Sequence, residues 1–314
     1  MTNHYGSIEA GGTKFVLAIG DEQFNILKTN QIPTTSPEET ITRTIEFFKE
    51  NPVKSLAVGS FGPIDIKPES ATYGYITTTP KAGWANVDLL GKLKAALDIP
   101  MVFTTDVNSS AYGEMIVTGG KSLVYFTIGT GIGGGAVQDG KFIGGFSHAE
   151  MGHQYVKRHP DDLNFAGVCP FHGDCLEGVA AGPSLEARLG IRGEDIPADS
   201  KVWDIQAFYI AQIAVNTTLA LAPEKIVFGG GVMTQTHMIE RVRKEFTKLM
   251  AGYVHVPYLL TDYIMTPSVA NNGSATIGNF ALAKDLDEKI TDSFVSSFSF
   301  LSVKINVITI IRFF

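Results

Sequence analysis

The sequence predicts an α/β protein built from two related halves. Each half opens with a strand, a glycine-rich turn and a second strand. The first copy is IEAGGTKFVLAIGD (Ile8–Asp21); the second lies within LVYFTIGTGIGGGAVQDGKFIG (Leu123–Gly144), which continues into an Asp-Gly hairpin. Around these units short apolar strands alternate with helical spacings, the pattern of sheets covered by helices.

The elements follow in order. Residues 5–20 read as strand, turn, strand. Ser36, Pro37 and Glu39 then form a Ser-x-x-Glu helix start, with Ile41, Ile45 and Phe48 on one face. Ser55–Gly59 is a short buried strand. Asn86–Leu97 carries helical spacing, Met101–Thr104 is a strand, and Asp106–Val117 is helical. Gly119–Gly120 is the expected hinge between lobes. In the second half Trp203–Ala222 is a long apolar helix and Lys225–Phe228 a strand ending in Gly229–Gly231. Two helices follow, near His237–Ala251 and Gly273–Leu286, the latter presenting Ile277, Phe280 and Ala281 to the first lobe. The expected division is therefore 1–118, 119–272, a returning helix 273–286, and a tail 287–314.

Composition sets the bounds. The chain has 314 residues, 44% of them hydrophobic and 18% charged, with a net charge of −7. That length accommodates two cores. The acidic balance argues against nucleic acid as a partner, because phosphate backbones attract Lys and Arg patches. Two cysteines are too few for a disulfide framework. MTNHYGSIEA has no apolar run behind a basic start, so no signal peptide and a cytoplasmic setting are expected. The last stretch, Ser293–Phe314, is rich in Phe, Ile, Val and Ser, but Lys304 and Asn306 interrupt it. It is expected to be an appendage prone to aggregation rather than a membrane anchor.

Phosphate loops commonly lead from a strand into a helix. Here the residues after Gly11 and Gly12 look like a strand, so the glycines sit at a hairpin tip. There backbone N–H groups can approach phosphate, Thr13 can add a hydroxyl and Lys14 a charge. A plain tight hairpin would look the same. The second copy, Thr127–Gly135 with Thr130, Gly131 and Gly133, favours a nucleotide clamped between two lobes.

These motifs resemble the ROK family of sugar kinases, within the actin-like/hexokinase superfamily. IEAGGTK is similar to the family's first phosphate motif, with Glu9 where Asp is usual. IGTGIGGGA and AEMGH, between Ile128 and His153, resemble its signature. The likeness runs from about Ile8 to about Asp285. It implies a two-lobed actin-like ATPase fold, ribonuclease H-like in each lobe, and transfer of phosphate from ATP, carried with Mg2+, to a sugar. A homodimer is expected from the family.

The resemblance places the general base at Asp106, in FTTDVNSSA, where a strand passes into a helix. A helix N-cap aspartate would also suit that position. Glu150, His153 and Glu177 resemble the family's sugar-binding residues, and carboxylates are natural acceptors for sugar hydroxyls. Gly230 and Gly231 resemble its adenosine-side loop, although a strand-to-helix turn needs glycine too. Cys169-Pro-Phe-His172-Gly-Asp-Cys175, together with His153, supplies four Cys/His ligands of the kind that hold tetrahedral Zn2+. Two buried thiols beside an exposed His are the plainer alternative. The resemblance implies a structural zinc at these four positions, joining the Glu177 loop to the Glu150 segment, with His153 turned to both metal and sugar.

Gly62-Pro63-Ile-Asp65 and TPKAGW resemble the fructokinase branch. Gly62, Pro63, Lys81, Trp84 and Asn86 are expected on the sugar side or in a lid, with Trp84 equally suited to a core. D-Fructose is the leading substrate, and a broader hexose kinase acting on mannose or glucose the alternative. A non-catalytic sugar sensor of the same family is a third reading. Sugar-responsive repressors carry a helix-turn-helix domain ahead of this part, and a phosphate motif beginning at Ile8 leaves no room for one.

Overall fold

The computed structural model describes residues 3–270 and 273–310, with 293–310 described by backbone alone. The first lobe contains β1 (Tyr5–Ala10), β2 (Lys14–Gly20), β3 (Ile26–Pro33), α1 (Pro37–Glu50), β4 (Ser55–Ser60), β5 (Tyr75–Ile76), β6 (Val87–Asp88), α2 (Leu89–Ala96) and β7 (Met101–Thr105). Helix α3 (Asp106–Thr118) leads to the second lobe. That lobe contains β8 (Ser122–Ile128), β9 (Ile132–Gln138), β10 (Lys141–Phe142), α4 (Leu176–Ala180), α5 (Gly182–Leu189), α6 (Val202–Leu221), β11 (Lys225–Gly229), α7 (Met238–Met250), α8 (Leu260–Tyr263) and β12 (Ile264–Met265). Helix α9 (Ser274–Ile310) returns to the first lobe.

The two sheets repeat one topology. Their strand orders are β3-β2-β1-β4-β7 and β10-β9-β8-β11-β12. In each, the first three strands in chain order pair antiparallel, as a meander that includes the glycine hairpin, and the last two add in parallel. The C-terminal ends of parallel strands are where open α/β sheets bind ligands. Asp139 and Gly140, both at positive φ, close the Asp-Gly hairpin.

Helices α3 and α9 form the layer between the sheets. Tyr112 and Met115 of α3 join Leu123, Tyr125 and Val137 in one apolar cluster; Phe280 and Ala283 of α9 join Tyr5, Ala18 and Ala57 in another. Ile277 also packs in the second, as expected, but Ala281 lies in the α3 cluster. The helices cross with their backbones in contact. A Cβ at Gly278 would stand 1.8 Å from the Ser109 carbonyl oxygen, and one at Gly113 would stand 2.0 Å from that of Ser274. Ser109 Oγ donates to Asn279 Oδ1 at 2.7 Å beside this crossing.

Several local expectations change. Ser36 caps α1 through the Glu39 N–H at 3.3 Å, but the Glu39 carboxylate takes the Thr35 hydroxyl instead of closing the box. The helix expected from Asn86 begins at Leu89. Asn86 adopts a left-handed turn (φ 58°), Val87–Asp88 pairs with Tyr75–Ile76, and Asp88 caps α2. Strand β3 was not foreseen, because nearly all of it is exposed and no burial pattern marks it.

The last helix does not stop at Leu286. Its backbone continues to Ile310, and Asp287 accepts from the Tyr5 hydroxyl at 3.4 Å. Adding a residue to an existing helix costs far less than nucleating one, and no Pro or Gly interrupts 287–310. The expected tail character falls on side chains from 293 onward and on residues 311–314, which lie outside those described, as does Asn272. Among the described residues no helix is long and apolar enough to cross a membrane.

Gly278→Ala tests the crossing. In an exposed helix this change stabilises by about 1 kcal/mol. Here overpacking opposes it at a cost of about 1–3 kcal/mol. The variant is expected to unfold at lower urea concentration than the wild type; an unchanged or higher midpoint would show that the helices separate freely.

Candidate active site

Thr105 caps α3 by accepting the Asn108 N–H at 3.1 Å, so Asp106 is the first helical residue rather than the cap. Its Oδ1 accepts the Val107 N–H at 2.9 Å. Burial pushes its carboxyl up to about 6; the backbone N–H groups pull it down, and the negative charge of Glu150 adds to the rise. Strand β9 presses on this turn. A Cβ at Gly135 would come within 2.3 Å of the Val107 oxygen. Glu9, one residue before the end of β1, has its carboxylate accepting from the Thr276 hydroxyl of α9. Burial pushes it up to about 7, against the Thr276 hydroxyl, with the Asp106 charge contributing to the rise. Glu9, Asp106 and Glu150 thus gather at the ends of β1, β7 and the AEMGH segment.

The first hairpin is tight. Gly11 N–H donates to the Lys14 oxygen at 3.1 Å, while Thr34 binds the Gly11 and Thr13 carbonyls. Gly12 faces open space, and Thr13 is exposed. The Lys14 ammonium donates to Gln31 of β3 at 2.9 Å. The second hairpin is braced from behind. Glu177 Oε2 accepts the Ile132 N–H at 2.9 Å and sits where a Cβ of Gly131 would be, 2.8 Å away. Gly133 lies against Val107.

Thr130 and Gly231 line the same cleft of about 490 Å³. Gly230, at φ 87°, lets β11 run against the Ile128 backbone, where a Cβ would stand 2.5 Å away. Pro183, Arg192, Trp203 and Gln235, which sequence reasoning missed, line the cleft too. Their positions come from α5, α6 and the loops beside them, and no motif marks them.

On the opposite side, the Pro63 oxygen accepts from both the Thr77 N–H and its hydroxyl, at 2.9 and 3.0 Å, and the Asn86 N–H donates to the Thr77 oxygen at 2.9 Å. Gly62, Pro63 and Asn86 thus share one bonded ladder. Trp84 does not join them. It is fully buried against Phe15 and Phe61, with its indole N–H on the Thr35 oxygen, so its role is core. His148 was also missed. It is buried, its Nε2 accepts the Ile64 N–H at 3.1 Å, and its Nδ1 lies 3.5 Å from Glu150.

The four Cys/His residues converge. His153 Nδ1 lies 3.7 Å from the Cys169 sulfur and 3.6 Å from that of Cys175; His172 Nδ1 lies 3.8 Å from Cys169. Ligands of one tetrahedral zinc stand roughly 3.5 Å apart, given bonds of about 2.0–2.3 Å. The set therefore fits such an ion. The other His153 nitrogen faces Glu177 Oε1 at 4.0 Å.

The sequence model of the ROK family matches residues 5–286. The chain belongs to the ROK family. A fructokinase of Lactococcus lactis subsp. cremoris is 62% identical over 289 residues, spanning 92% of this chain and 100% of its own. One from Streptococcus mutans serotype c is 61% identical over 291 residues, spanning 91% and 99%. The fold is that of solved ROK proteins. A ROK hexokinase from Thermus thermophilus superposes with TM-score 0.75 at 21% identity, over 93% of this chain and 100% of its own. A ROK family glucokinase from Streptomyces griseus, in complex with glucose and AMPPNP, superposes with TM-score 0.70 at 20% identity, over 91% and 100%.

Proposed function

We propose that the chain is a fructokinase, transferring the γ-phosphoryl group of ATP to the 6-hydroxyl of D-fructose. The observation that carries the chemistry is Asp106, a half-buried carboxylate on the first turn of α3, a turn wedged through Val107 against the glycine-rich strand β9. Relatives named fructokinase, at 61–62% identity over nearly their whole length, support the choice of sugar.

The sugar lies between the Gly62–Pro63–Asn86 ladder and Glu150, His153 and Glu177. Asp106 takes the proton of the 6-hydroxyl as that oxygen bonds to the γ-phosphorus and ADP leaves. The Gly11–Lys14 and Thr130–Gly133 hairpins hold the phosphates, and the cleft at Gly230 and Gly231 holds the adenosine. Mg2+ bound with ATP would offset phosphate charge. Glu9 and Asp106 are the acidic groups that would face it, and their raised carboxyls suit a cationic neighbour. Zn2+ at His153, Cys169, His172 and Cys175 is structural in this reading. A homodimer belongs to the same reading and rests on the family resemblance. A cytoplasmic setting rests on the composition of the N-terminal residues, and the division at residue 118 with a helix returning from 273 on the Gly119–Gly120 pair and the helical spacing.

A coupled assay with Mg-ATP is expected to show fructose turned over far faster than mannose or glucose. Preference for either of those would favour the broader hexose kinase. Asp106→Asn is expected to lower kcat by about 10²–10⁴-fold with fructose binding retained. A base works only when ionised, and this carboxyl is held near 6. Wild-type kcat/KM is therefore expected to fall about tenfold per pH unit below that value. An Asn variant with near wild-type kcat would remove Asp106 from the role.

Metal analysis is expected to return about one zinc per chain, from the single four-ligand set. Cys175→Ser is expected to lower both thermal stability and activity. Full activity in verified zinc-free protein would refute the structural role.

A further inference from the structure

His148 joins a second-lobe loop to the Gly62–Ile64 segment of the first lobe. Among the described residues, its bond from the Ile64 N–H at 3.1 Å is the one hydrogen bond joining residues 5–105 to residues 119–270. The remaining cohesion runs through α3 and α9 at the back. The ring is held firmly. Gly144 and His148 pair as an isolated antiparallel bridge that closes the loop between them, and the side chain is 4% exposed. It packs on Gly62, where a Cβ would stand 3.4 Å from its Cε1.

The hydrogen-bond pattern assigns the ring's form. Nε2 accepts a backbone N–H, so the neutral ring carries its proton on Nδ1. That nitrogen faces Glu150 Oε1 at 3.5 Å. One side chain therefore reads the sugar-side segment of the first lobe with one nitrogen and the sugar-side carboxylate of the second with the other.

We propose that His148 is a positioning residue for the sugar. By pinning Ile64 to the loop that carries Glu150, it sets the separation between the Gly62–Pro63–Asn86 ladder and Glu150 at the spacing that holds a hexose. The inference rests on the kinase reading above. Without the acceptor, the buried Ile64 N–H loses its partner, which favours an open cleft. Sugar held between the lobes then binds more weakly and is less well aligned. The nucleotide cleft is lined by second-lobe residues, Thr130, Arg192, Trp203 and Gly231 among them. Only the Gly11–Lys14 hairpin reaches the nucleotide from the first lobe, so nucleotide affinity depends on this tie less than that of the sugar.

The test uses His148→Ala, His148→Asn and His148→Gln, with steady-state kinetics on fructose and ATP. The Gln amide oxygen reaches about as far as Nε2 and can accept the Ile64 N–H; the shorter Asn cannot. Loss of one buried hydrogen bond corresponds to roughly tenfold in affinity. The Ala and Asn variants are therefore expected to raise the KM for fructose by about that factor, with a clearly smaller rise in the KM for ATP, and Gln to recover most of the loss. If the Ala variant does not fold, the Asn and Gln pair carries the comparison. An unchanged fructose KM in the Asn variant, parallel rises in both KM values, or Gln performing no better than Asn would overturn the proposal. A wild type that phosphorylates no hexose would overturn the kinase reading and this proposal with it. A wild type active on a different hexose would move the same comparison to that sugar.

Discussion

The architecture depends on bare backbone contact around α3. Gly113 and Gly278 let α3 and α9 meet without side chains between them, and Gly135 lets β9 lie on the first turn of α3. An ordinary residue at any of these positions would force the elements apart by more than a packed core can absorb. Several candidate site groups are referenced to this helix. Asp106 sits on its first turn, the second phosphate hairpin lies against Val107, and α9 brings Thr276 to Glu9.

That placement also settles the electrostatics. A helix N-terminus favours a carboxylate in its charged form, and Asp106 has the Val107 N–H as well. Burial outweighs both and raises the group to about 6. The result suits a general base, which must be ionised near neutral pH yet still hold a proton. Glu9, raised further to about 7, has Thr276 rather than a cation as its hydrogen-bond partner. Lys14, which the motif suggests as a phosphate contact, bonds Gln31 in this structure.

The sequence revealed what depends on local chemistry. Both glycine hairpins, the strand before Asp106 and the long apolar α6 are legible because turn residues and periodicity mark them. The Cys/His set was legible because metal-binding residue types at short spacing have few other uses. What escaped depends on tertiary partners. Strand β3 has a polar, exposed composition and exists because β2 offers it an edge. Trp84 could have stacked on a sugar; only the positions of Phe15 and Phe61 decide that it is core. His148 looks like any loop histidine until Ile64, far away in the chain, is brought against it. The continuation of α9 beyond Leu286 was hidden by a change in composition that a formed helix can cross.

A second chain of contacts links the Cys/His cluster to the β8–β9 hairpin. Cys175 immediately precedes α4, and the Leu176 N–H donates to the Gln154 oxygen at 2.8 Å, anchoring that helix beside His153. One residue further, Glu177 reaches across to the Ile132 N–H with one oxygen and faces His153 Nε2 with the other. The glycine at 131 leaves room for that carboxylate and for nothing bulkier. A displaced Cys175 would therefore move α4, then Glu177, then the turn at Gly131. The cluster lies outside the cleft lined by Thr130 and Gly231, yet Glu177 holds the turn next to Thr130. A phosphate loop made largely of glycine has little stiffness of its own, so its geometry has to be supplied by the residues behind it.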